Sequence, residues 1–185
     1  MSGHSHAKTI KHQKELTDQK RGQIFSKMAR VISLAVKEGG ANPETNNKLK
    51  VAMEQAKQFN LPKENIERAI RQAVGGSGEA SLEEVIFEAY GPGGVAIIIE
   101  GITNNKNRAL GEIKQILAQN NSKLVGEGGV RWLFERTVNK ETGSLEWLAK
   151  QNIEVSEKDK EGCQKLFEAL DENETVQEIY SNLKI

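Results

Sequence analysis

From Ile24 onward, apolar residues recur at helical spacing. Ile24, Phe25, Met28, Val31, Ile32 and Ala35 share one side of a 3.6-residue repeat, and Gly39-Gly40 stops it. After the connector "ANPETNN", Leu49, Ala52, Met53, Ala56 and Phe59 form a second stripe. Asn60-Leu61-Pro62 breaks the chain, and Pro62 suits the first turn of a third helix lined by Ile66, Ala69, Ile70 and Ala73. Gly75-Gly76 ends it. Three amphipathic helices joined by short loops predict a small bundle over residues 21–76, preceded by a polar arm over 1–20 with no sustained apolar stripe.

The period then changes. "GGSGEAS" has the composition of a flexible linker, and the boundary is placed at 77–82. "EVIFEAY" and "VAIIIEG" are strand-like runs around Gly91-Pro92-Gly93-Gly94, which suits a hairpin loop. "NKNRALGEIKQILAQNN" is helical, with Leu110, Ile113, Ile116 and Leu117 facing inward. "GGVRWLFER" is a third strand candidate. A second helix over 158–172 points Cys163, Leu166, Phe167 and Leu170 inward, and "TVQEIYSNL" closes the chain as a strand. Residues 83–185 therefore predict an α/β sandwich, an antiparallel sheet with helices on one face, and the whole chain is α+β. Trp132 and Trp147 are read as packing residues.

Composition narrows the class. With 37% apolar and 28% charged residues among 185, the chain has the make-up of a globular protein. No apolar run approaches the roughly 18–20 residues of a membrane span, and the opening residues hold no apolar block. The expectation is a cytoplasmic protein without a membrane partner. Cys163, the one cysteine, suits a reducing compartment and reads as a core thiol.

Charge changes the picture more. Formal net charge is zero, but residues 1–76 carry 14 Lys/Arg against 7 Asp/Glu, and residues 77–185 carry 12 against 19. The first 37 residues hold 8 basic groups against 2 acidic. A basic end joined to an acidic body suggests a polyanionic partner. All three histidines lie in "MSGHSHAKTIKHQK". His4, His6 and His12 lack a carboxylate or cysteine at ligand spacing, so no specific metal site is expected. "GHSH" resembles a purification remnant, but the cationic pattern runs on through Lys8, Lys11, Lys14, Lys20, Arg21, Lys27 and Arg30. Such cations neutralise phosphates without regard to sequence. The arm has no aromatic residue, so backbone contact is expected there rather than base stacking. "TNNKNR" is a second candidate patch. Lys106 and Arg108 could reach a phosphate near a helix start, and Asn104 or Asn105 could equally be a plain helix cap. No nucleotide-binding, hydrolase or metalloprotease motif is present, and neither a cofactor nor a small-molecule substrate is expected.

These residues carry a resemblance. "GHSHAKTIKHQKELTDQKRGQIFSKMARVISLAVKEGG" is similar to the opening of the YebC family, which includes mitochondrial translational activators. Gly3, His4, Ser5, Ile10, Lys11, His12, Lys14, Lys20, Arg21, Phe25 and Lys27 match its pattern, and Gly-His-Ser belongs to the family's own start. "NLPKENIERAI", "YGPGGVAIIIE", "TNNKNR", "VRWLFER" and "LDENETVQEIYSNLKI" also resemble family segments. His6-Ala7 stands where the family has Lys-Trp. The family's three-domain layout implies a middle domain after "LFER". Here "ERTVNKETGSLEWLAKQNIEV" passes almost directly on, so that domain is expected to be missing near 137–145.

The resemblance implies a non-enzymatic regulator of gene expression that binds nucleic acid, either DNA in transcription or ribosomal RNA in translation, with the ribosome as a possible partner. Gly3, His4 and Ser5 join the candidate contacts on this ground. The alternative is a protein-interaction scaffold whose basic arm grips an acidic protein.

Overall fold

A computed structural model describes residues 18–76 and 81–184. Their order is α1 (Asp18–Gly39), α2 (Asn47–Gln58), α3 (Lys63–Val74), β1 (Glu83–Tyr90), β2 (Ala96–Thr103), α4 (Lys106–Gln119), β3 (Lys123–Val125), β4 (Phe134–Val138), β5 (Leu145–Ala149), α5 (Glu157–Glu172) and β6 (Val176–Ser181). Two compact units emerge. One holds the three helices with residues 138–144, and the other holds residues 84–137 and 145–184.

In the helical unit, Ile24, Met28, Ile32, Leu49, Ala52, Ala56, Ile66 and Ala69 make the buried core. Asn46 ties two helices together. It is the N-cap of α2, its Oδ1 accepting from the Leu49 amide at 3.1 Å. Its Nδ2 donates to Ala35 O at 2.7 Å and Gly40 O at 2.8 Å, carbonyls at the end of α1. One buried side chain thus satisfies orphan groups of two helix ends. A Cβ on Gly39 would lie 2.7 Å from the Asn46 side chain, so glycine is required there. Pro62 differs slightly from expectation. It is the N-cap of α3, and the helix proper starts at Lys63.

The second unit has a four-stranded sheet in the order β3-β1-β2-β6. β1 pairs antiparallel with β3, and β2 pairs antiparallel with β6. The "GPGG" turn closes with a Gly91 N–H to Val95 O bond of 2.8 Å. One sheet face carries Ala89, Ile97, Ile99 and Ile179 against Ile113 and Leu117 of α4 and Cys163, Leu166, Phe167 and Leu170 of α5. This is the expected helix-covered face. Leu110, expected inward, is 41% exposed. It lies at the edge of the stripe in the second turn of α4, and Ala109 is buried in its place.

The opposite face is not left to solvent. Ala96, Ile98 and Tyr180 are covered by Val130, Leu133 and Phe134, and by Trp147 and Ala149 of the two-stranded β4-β5 ribbon. "GGVRWLFER" therefore does not run as one strand. Arg131–Leu133 is a single 3₁₀ turn and β4 begins only at Phe134.

Glu88 sets the geometry of that cover. The alternation of β1 puts it on the same face as Tyr90, where it is 2% exposed. Its carboxylate accepts the backbone N–H groups of Gly128 (2.8 Å), Val130 (2.9 Å) and Arg131 (2.9 Å), and the Arg131 guanidinium lies 3.0 Å away. Burial alone would push this carboxyl upward. The three amides and Arg131 outweigh it and hold the pKa below the usual glutamate range.

Two expected outcomes follow. A Cβ at Gly101 would meet Thr175 O at 2.6 Å, whereas one at Gly111 in α4 meets nothing within 4 Å. Gly101→Ala should lower the thermal midpoint, and Gly111→Ala should raise stability by about 0.5–1 kcal/mol. Tryptophan-detected unfolding reads both, and equal effects would contradict the fold. Glu88→Gln should cost about 1–3 kcal/mol, because three amides lose their ionised acceptor. The sign of the pH effect follows from the lowered pKa. The ionised Glu88 contributes fully above the ordinary glutamate pKa of about 4, and that contribution is lost as pH falls through the folded value. Acid titration of stability should therefore be flatter in Glu88→Gln than in the parent.

Candidate nucleic-acid interface

The cations expected to bind phosphate do not all stand alike. Gly3, His4, Ser5, Lys8, Lys11, His12 and Lys14 lie outside the described residues. Lys20, Arg21, Lys27 and Arg30 all lie on α1. The Arg21 side chain is 56% exposed and pairs with the fully exposed Asp18 at 3.8 Å. Lys20 and Arg30 are partly buried, and each engages other groups of the chain. Lys27 departs from expectation. At 4% exposure its side chain lies among groups of the protein, on the flank of α1 that also buries Leu34 one heptad later, and it is not offered at the surface. A cation on the edge of an amphipathic helix can be covered by packing that no local spacing reveals.

The second patch is built at the start of α4. Asn105 is the N-cap, its side chain accepting from the Arg108 amide at 3.0 Å. Thr103 Oγ1 in turn accepts from the Asn105 amide at 3.0 Å. The Arg108 guanidinium is shared among Asn104 Oδ1 (3.1 Å), Glu112 (3.8 Å) and Glu174 (3.6 Å). Lys106 is exposed and also has a partner in the chain. The capping role of Asn105 is thus real, and Arg108 is held by carboxylates.

Trp132 is where the sequence misleads most. It is 63% exposed and takes no part in either core layer. Its Nε1 donates to Gly129 O at 3.1 Å, and Lys150 Nζ donates to Trp132 O at 2.8 Å. The available signal is "GEGG" just upstream, which argues for a loop where the apolar run argues for a strand. Trp147 behaves as expected of a packing residue. It is partly buried, with the Arg136 guanidinium 4.7 Å from its ring centroid. Its Nε1 donates to Glu100 at 2.8 Å. Glu100 stands opposite Glu178 in the β2-β6 register and also pairs with Arg136. Burial raises the Glu100 pKa, opposed by Arg136 and the Trp147 bond and reinforced by Glu178.

Cys163 is fully buried, and its thiol donates to Pro92 O at 3.6 Å. Burial, with a smaller push from Asp159, raises its pKa to about 11, so the reactive thiolate is suppressed. Among the described residues no group of three or more His, Cys, Asp or Glu could hold a metal ion. No helix among them is long and apolar enough to cross a membrane.

Known proteins resemble this chain in sequence and in fold. A probable transcriptional regulatory protein of Caldanaerobacter subterraneus subsp. tengcongensis is 38% identical over 240 aligned positions, covering 100% of this chain and 99% of that protein. One from Dictyoglomus thermophilum is 49% identical over 135 residues, covering 73% of this chain and 54% of its own length. The crystal structure of a conserved hypothetical protein from Aquifex aeolicus superposes with a TM-score of 0.84 at 31% identity, covering 95% of each chain. The family model of the TACO1/YebC protein N-terminal domain matches residues 5–76. That of the TACO1/YebC second and third domain matches residues 82–141 and 137–183. These matches span nearly the whole sequence, and the chain belongs to the TACO1/YebC family.

Proposed function

We propose that this protein is a non-enzymatic regulator of gene expression that holds nucleic acid by its phosphate backbone. The observation that carries this reading is the charge division: 14 basic against 7 acidic groups over residues 1–76, and 12 against 19 over the remainder. The contacts come from Lys8, Lys11, His12 and Lys14 together with Lys20, Arg21 and Arg30, and Gly3, His4 and Ser5 supply hydrogen bonds. Lys106 and Arg108 add a weaker second patch, since a phosphate there must compete with Glu112 and Glu174. The Arg21–Asp18 pair is exposed and long, and such pairs are worth little, so phosphate displaces Asp18 readily. Lys27, being buried, is left out of the contact set. Relatives named as probable transcriptional regulatory proteins support the regulatory role and, with it, a cytoplasmic setting.

The target is DNA or a structured RNA such as that of the ribosome, gripped through its backbone in either case. The chain is further read as a short form of its family. The alignment with the Caldanaerobacter protein runs 55 positions beyond this chain's 185 residues. In this chain a tight turn, with Asn139 N–H to Ser144 O at 2.8 Å and Gly143 N–H to Asn139 O at 2.8 Å, joins β4 directly to β5.

Affinity for duplex DNA and for ribosomal RNA, measured against salt, tests the reading. With about six phosphates contacted, log affinity should fall against log salt with a slope near −5. Arg21→Ala should reduce that slope by about one, and Lys11, Lys14, Lys20 and Arg21 changed together to alanine should abolish most of the binding. Lys27→Ala should lower thermal stability and leave the slope alone. A salt-independent affinity, or full binding by the quadruple variant, would refute the proposal.

A further inference from the structure

We infer that Trp132 is a stacking platform for an unpaired base of single-stranded nucleic acid. This rests on the phosphate-binding reading and adds to it the kind of strand recognised. A tryptophan 63% exposed is unusual, because its large ring is normally spent on packing. Here the ring packs in neither core, while its chain neighbours Val130 and Leu133 do.

The indole is also held in place. Its one polar atom is satisfied by Gly129 O at 3.1 Å, so the ring needs no hydrogen bond from a partner and offers its π face. The backbone beneath it is fixed twice. Glu88 holds the amides of Val130 and Arg131 from one side, and Leu133 O accepts from the Lys150 amide at 2.9 Å on the other. An aromatic ring ordered before binding loses little entropy on binding.

A cation stands at the backbone carbonyl of the same residue. Lys150 is exposed and directs its ammonium to Trp132 O at 2.8 Å, which uses one of three N–H donors and leaves two for a phosphate of the strand whose base is stacked. A ring with an adjacent ammonium is the pairing that single-strand binding surfaces use, and it is tolerant of sequence because every base has a π face. Glu127 and Glu135 are the exposed acids nearby in sequence, and Glu127 is occupied by Arg131 at 3.2 Å. A duplex keeps its bases stacked on one another and cannot use such a ring.

The full chain is titrated with short oligouridylate and with the same strand paired to oligoadenylate, following tryptophan fluorescence and affinity. Oligouridylate should quench the emission and the duplex should not. Trp132→Phe should remove the quenching and keep most of the affinity. Trp132→Ala should weaken single-strand binding at least about fivefold and leave duplex binding unchanged. Salt-dependent binding that is unaltered in Trp132→Ala and causes no quenching would overturn the inference, leave the backbone reading standing, and assign the ring to a protein partner. Equal losses on both strands would also overturn it. If the parent protein bound neither strand at low salt, the backbone reading would fail first and this one with it.

Discussion

The Glu88 carboxylate is the constraint on which the architecture of the α/β unit turns. Converging amides of a glycine-rich loop make a concave set of donors of the kind that binds phosphates elsewhere. In this protein the set at Gly128, Val130 and Arg131 is filled from within by a buried side chain of the sheet. Three things follow from that occupancy. The loop loses its freedom, Leu133 and Phe134 are delivered inward over Ile98 and Tyr180, and Trp132 is left facing outward. Because these three amides are spent on Glu88, this loop offers none of them to an outside anion.

Electrostatics of the acidic part point the same way. Glu100 and Glu178 face each other across the β2-β6 ladder, which is destabilising unless moderated. Arg136 and the Trp147 indole supply the moderation at Glu100, while one Glu178 oxygen remains buried without a partner. With 19 acidic against 12 basic groups over residues 77–185, there is no general positive field there, and a polyanion reaching Trp132 has to be met by a local cation such as Lys150.

Much of this was legible in the residues. Helices α1 to α3 announce themselves through long apolar stripes with glycine or proline at their ends. The β1-β2 hairpin does so through two apolar runs around Gly91-Pro92-Gly93-Gly94, and α5 through its helical repeat. What escaped was short or tertiary in origin. β3 is three residues and β5 five, too brief for a period to declare itself, and both exist because a neighbouring strand or ribbon pairs with them. The run "VRWLF" has the composition of a strand, yet Glu88, some forty positions away, bends its first half into a turn. The burial of Lys27 and the exposure of Trp132 reverse what their residue types suggest. For Trp132 the outcome is decided by Glu88, far along the chain, and that information is absent from a local window. Family membership was legible in the motifs, although the kind of nucleic acid proposed as target was not.

The central claim is that the beginning of the chain touches nucleic acid directly. Ultraviolet crosslinking in living cells, followed by mass spectrometry of the protein's nucleotide-bearing peptides, tests this most directly. The account expects adducts on peptides from the first 37 residues, with a second set on the peptide that carries Trp132. Adducts confined to the peptides of α5 and β6, or none on a protein recovered in quantity, would contradict it.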